Sequence, residues 1–104
     1  MPDKILSLLG LCRRAGKLVL GHDPVCKAMK EKKAMLVLTA SDFSQNSRKE
    51  VEAAAVLTNT PLLELPFTKE ELSLSVGHHC GAAAVTDRGF AQKLMTLLNE
   101  PDEQ

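Results

Sequence analysis

The chain has 104 residues and a mass of 11.3 kDa, with 44% hydrophobic and 25% charged residues, which fits one domain and argues against a disordered chain. Three Phe and no Trp or Tyr leave the core to aliphatic side chains and disfavour a binder that stacks successive bases on aromatic rings. The zero net charge conceals a split, because residues 1–50 carry ten Lys or Arg against five Asp or Glu, and residues 51–104 carry three against eight. Such asymmetry points to a face for a nucleic acid or acidic partner, or to a solvated basic helix surface.

Ile5, Leu8, Leu9 and Cys12 recur at helical spacing, so Pro2 to Arg14 is expected to form a first helix. Arg13 and Arg14 complement its dipole and Gly16 can take the left-handed cap. Lys17 to Leu20 reads as a short strand. Asp23 is a good N-cap and Pro24 suits a first helical position, which predicts a second helix to about Lys32. Met35 to Thr39 is an apolar run without alternation, the pattern of a strand buried on both faces. Ser41 to Asn46 is expected to be a loop. A third helix follows to about Thr58, with Val51, Ala54, Ala55 and Leu57 or Thr58 inward.

Pro61 and Pro66 bracket a third strand, Leu62 to Leu65. Thr68 and Glu71 match a capping box for a fourth helix ending near Val76. Gly77 to Gly81 is a loop and Ala82 to Thr86 a fourth strand. Asp87 caps a last helix through about Leu98, which Phe90 anchors, and residues 99–104 form a polar tail. This alternation predicts an α/β fold, a three-layer α/β/α sandwich around a mixed sheet of about four strands, with residues 1–98 as one domain.

The odd cysteine count and wide spacing of Cys12, Cys26 and Cys80 argue against a disulfide framework. No window is long and apolar enough for a membrane span, and the first residues lack the layout of a secretory leader, so a cytoplasmic protein without membrane contact is expected. Known nucleotide, hydrolase and zinc-protease motifs are absent. His78, His79 and Cys80, with His22 elsewhere, contain metal-ligand and thiol chemistry. Adjacent residues rarely face one ion, however, and nothing orients a Cys–His pair, so no metal, cofactor or catalytic residue is assigned. The Gly21–Lys27 strand-to-helix turn is different. A helix N-terminus after a glycine offers free amides and a positive dipole end to an anion, with Lys17, Lys27 and Lys30 nearby. Asp23 competes for those amides, and a well-capped basic helix is the alternative.

The stretch Leu8 to Val19 resembles the opening of the bacterial YlxQ/YbxF-type branch of the kink-turn RNA-binding ribosomal protein family. The likeness continues through Gly21, Val25, Lys27 and Ala28, then Lys33 to Asp42, Ser44, and Asn46 to Lys49, and closes with Ala84 to Ala91. In order, these pieces span about residues 4 to 95.

The resemblance implies an α/β/α sandwich that binds structured RNA, such as a kink-turn or ribosomal RNA on the ribosome, without catalysis. It implies a recognition turn at Gly21, His22, Asp23 and Lys27, and a second loop at His78, His79, Cys80 and Gly81. Arg48 and Lys49 are further candidates for contact with the RNA backbone. Archaeal relatives carry Asn and Glu where this chain has Asp23 and Pro24. An ionised Asp accepts but cannot donate to guanine O6, and Pro24 has no polar group. RNA affinity is therefore expected to outlast strict kink-turn selectivity. The alternative is a module on the same fold that has lost base recognition and docks a protein. Nothing in the sequence demands a dimer, so a monomer is expected.

Overall fold

A computed structural model describes residues 2–99. Its elements are α1 (Pro2–Arg14), β1 (Leu18–Leu20), α2 (His22–Lys30), β2 (Leu36–Thr39), α3 (Gln45–Thr58), β3 (Leu62–Glu64), α4 (Lys69–Val76), β4 (Ala82–Val85) and α5 (Arg88–Asn99). The strands form one mixed sheet in the order β1-β4-β2-β3. β4 is antiparallel to both β1 and β2, and β2 is parallel to β3. The expected sandwich is the fold observed.

Strand side chains alternate between the two faces, and each face receives its own helices. Leu36, Leu38 and Val85 meet Leu8, Leu9, Leu72 and Leu94 from α1, α4 and α5. Val37, Ala82 and Ala84 meet Val25, Met29, Val51 and Ala55 from α2 and α3. β2 and β4 are buried throughout, which explains their lack of polar alternation. On α3 the ambiguity resolves in favour of Thr58, since Leu57 remains 85% exposed.

Local signals placed most ends correctly. Gly16 is left-handed at φ 73° and closes α1, with the Lys17 amide donating to Cys12 O. The α4 capping box is complete: the Glu71 amide donates to Thr68 Oγ1 at 3.2 Å and the Thr68 amide to Glu71 Oε1 at 2.9 Å. Asp87 caps α5 by accepting from the Phe90 amide at 2.9 Å.

Two starts differ from expectation. α2 begins at His22, with Gly21 as its N-cap, and Asp23 lies inside the first turn without capping it. Gly21, at φ 101°, takes a conformation that Asp disfavours and lets the helix start two residues sooner. α3 begins at Gln45, inside the stretch expected to be a loop. The expected polar tail lies outside the described residues apart from Asn99, which ends α5.

Candidate functional site

The sheet topology gathers four connections at one end. The C-terminal ends of β1, β2 and β3 lie beside the start of β4, as the pairs Leu20–Ala83, Thr39–Ala82 and Thr39–Glu64 show. The turn into α2, the loops into α3 and α4, and the loop 77–81 therefore share this near pole. Backbone bonds join them: the Gly21 amide donates to Ala82 O, Ala40 to Gly81 O and Ser41 to Phe67 O. The two stretches expected to act together, 21–27 and 78–81, thus meet across β4.

The start of α2 has no side-chain cap, so its first-turn amides are not claimed by one. The Asp23 carboxylate instead turns to His22, with Oδ1 3.2 Å from Nδ1. Glu50 Oε1 of α3 stands 3.0 Å from His22 Nε2, an ion-pair separation, although that buried nitrogen makes no well-directed hydrogen bond. His22 is therefore held between two carboxylates, with its side chain 31% exposed. Lys27 is exposed on α2, a turn beyond His22.

His78 and His79 are exposed in a shallow groove with Asp42, Lys69 and Ser73. Asp42 Oδ1 accepts from the Lys69 amide at 2.8 Å and pins the α4 start to the β2–α3 loop. Gly81 has a steric reason to be glycine, because a Cβ there would lie 2.5 Å from the Phe43 ring. Phe43, half-buried over Gly81, is a residue of this pole that sequence reasoning missed. A lone Phe in a polar run gave no periodic signal for it.

Four expected contact residues are placed differently. Cys80 is buried in the core, so its side chain is not at the surface. Arg48 is turned inward and only 18% exposed. Its guanidinium donates to Ala40 O at 3.0 Å, to Thr39 Oγ1 at 3.3 Å and to Glu64 at 3.2 Å, tying α3 to the ends of β2 and β3. Buried Thr39 and the Ala40 carbonyl just beyond β2 accept from this long planar cation on the next helix. Lys17 and Lys30 lie at the opposite end of the sheet and of α2, so they do not flank the turn. Lys49 is exposed on α3.

The thiols are poorly suited to nucleophilic chemistry. Burial, aided by the Asp87 carboxylate, pushes the Cys12 thiol up to about 11. Burial also raises Cys80, partly offset by Arg13, and raises Cys26, where Lys30 opposes Asp23 and Glu50. Thiolates are disfavoured in such surroundings. Among the described residues no three His, Cys, Asp or Glu side chains converge as metal ligands, and no helix is long and apolar enough to cross a membrane.

Comparison with known proteins agrees with this architecture. Residues 3–95 match the ribosomal protein L7Ae/L30e/S12e/Gadd45 family. The chain is 33% identical to the RNA-binding protein YlxQ of Enterococcus faecium over 96 residues, 92% of each chain. It is 38% identical to the RNA-binding protein YlxQ of Bacillus subtilis (strain 168) over 97 residues, 88% of this chain and 92% of that one. It is 30% identical to the large ribosomal subunit protein eL30 of Yarrowia lipolytica over 99 residues, covering 93% and 91%. A solved structure of a protein with unknown function from Bacillus halodurans C superposes with a TM-score of 0.88 at 32% identity, covering 93% of this chain and 98% of that one.

Proposed function

Because the chain belongs to the ribosomal protein L7Ae/L30e/S12e/Gadd45 family, we propose that it is a cytoplasmic, monomeric protein that binds structured RNA, of kink-turn or ribosomal type, and catalyses nothing. The names of its relatives are those of RNA-binding and ribosomal proteins, not enzymes. The observation that carries the reading is the convergence at the near pole of an uncapped α2 start and the loop 77–81. Free amides and a positive dipole end suit a phosphate or a guanine acceptor, which a kinked RNA exposes and a regular duplex hides in its narrow major groove. Gly21, Lys27, Lys49, His78, His79 and Gly81 are the contact residues of this reading. Asp23 and Glu50, both exposed, flank His22 at the turn, and Arg48 holds the α3 start. With an acceptor at Asp23 and none at Pro24, two base contacts worth ~1–3 kcal/mol each are missing, so affinity is expected to exceed selectivity.

A salt-series titration against a kink-turn RNA and a matched straight duplex tests this. Lys27→Glu is expected to weaken binding to both and to lower the log–log salt slope by about 1. Unchanged affinity in a folded Lys27→Glu variant would remove the assignment. A second reading rests on the near-pole carboxylates Asp23, Asp42, Glu50 and Glu64, which repel RNA and suit a docked protein. Capture of a partner that persists after ribonuclease treatment, without RNA binding, would favour it.

A further inference from the structure

We propose that the opposite pole of the sheet is a second, sequence-independent contact for the RNA backbone. The inference rests on the reading of the protein as an RNA binder and adds a face that the recognition turn does not include.

The same topology that gathers loops at one end gathers cations at the other. The Thr86 amide donates to Lys17 O and the Met35 amide to Val85 O, so the approach to β1, the exit of β4 and the approach to β2 lie side by side. Across three strands that is a face ~10 Å wide. Exposed Lys17 precedes β1, Lys32 and Lys33 precede β2, Lys30 ends α2, and Arg88 begins α5 after β4. Two carboxylates lie nearby, which leaves the five cations in excess. Glu31 lies 3.4 Å from Lys33, and Asp87 caps α5. The near pole mixes both signs, since Asp23, Glu50 and Glu64 face His22 and Arg48 there while Lys27 and Lys49 stand exposed. A polyanion is therefore attracted more strongly by the far pole than by the recognition turn.

An independent observation concerns the end of α2. Lys33 N–H donates to Ala28 O and Lys32 N–H to Met29 O, a Schellman closure whose left-handed position is Lys32 at φ 62°. The same closure on α1 uses Gly16, and α4 ends on left-handed Gly77. Among the described residues Asn59 at the end of α3 is the other non-glycine residue with positive φ, and Asn tolerates that region. Among the described residues, Lys32 at the cationic pole is the one whose side chain disfavours this conformation and yet occupies it. A lysine thus stands where glycine would be relaxed, as expected if its charge is used.

The test is a salt-series titration with a straight RNA duplex and a kink-turn RNA, using the full chain. The triple variant Lys17→Glu/Lys32→Glu/Lys33→Glu is expected to bind both RNAs at least ~10-fold more weakly at low salt and to lose roughly two to three from the salt slope, with the ratio between the RNAs unchanged. Lys32→Gly is expected to melt at a higher temperature yet lose about 1 from the slope, a combination that a merely structural role does not produce. A neutral Lys→Gln triple replaces the reversal if that variant does not fold. Wild-type affinity and slope in a folded triple variant would overturn the second face and leave the RNA reading intact. Failure of the unmodified protein to bind either RNA would end both.

Discussion

Arg48 shows how a functional-looking residue can be spent on the fold. From sequence it is a cation at the start of a helix in a family-like motif, and RNA contact is the natural expectation. In the structure it completes the hydrogen bonding of the ends of β2 and β3. Arg48→Met keeps the side-chain length and leaves Thr39 Oγ1 and Ala40 O without their donor. A loss of ~1–3 kcal/mol is expected, read as a lower urea midpoint at unchanged slope. A variant of unaltered stability with weakened RNA binding would return Arg48 to the contact surface. The sequence cannot distinguish these roles, because the acceptors lie 8–16 residues away on other elements. His22 is similar, since Glu50 reaches it only after α3 has packed on α2.

At the scale of elements, short-range rules served well where both partners of an interaction are a few residues apart. The Thr68–Glu71 box, the Asp87 cap and the Gly16 closure were all legible for that reason. Thr68→Ala is expected to destabilise the protein by ~1 kcal/mol in chemical denaturation, because it removes the acceptor for the Glu71 amide. The same change should raise hydrogen exchange in α4 and the His78–His79 loop ahead of the central strands. No such effect would mean that the Asp42 contact with the Lys69 amide holds α4 by itself. α2 starts two residues before the position that Asp23 as N-cap predicts. Asp23 has the better side chain, but the sheet fixes Gly21, whose N–H donates a hydrogen bond to Ala82 O, and the helix begins from that point.

At the scale of the whole molecule, the two halves of the sequence charge become two poles of the fold only in part. The far pole collects five exposed cations from three stretches of chain, whereas the near pole mixes both signs. Stability at high pH is a further global property. The buried Cys12 thiol titrates near 11 in the folded protein and near its ordinary 9.0 when unfolded. Below pH 9 both states hold the proton and nothing changes. From pH 9 to 11 only the unfolded state releases it, so stability is expected to fall by roughly 2–3 kcal/mol across that window. Comparing Cys12→Ala with the unmodified protein isolates the effect. An equal alkaline loss in both would assign it to other groups.

The sequence by itself determined the order and type of the elements, nearly all of their ends and the aliphatic core. Those depend on periodicity, caps and turn residues that act within a few positions. It also identified the family, since the matching pieces keep their order along the chain. The tertiary structure decided which side chains share a surface. The antiparallel placement of β4 between β1 and β2 brings Gly21 beside Gly81 and separates both from Lys17 and Lys30. It also turned Arg48 and Cys80 inward, because buried carbonyls need donors and a packed core needs volume. Those are demands of distant neighbours, which a linear reading of spacing does not contain.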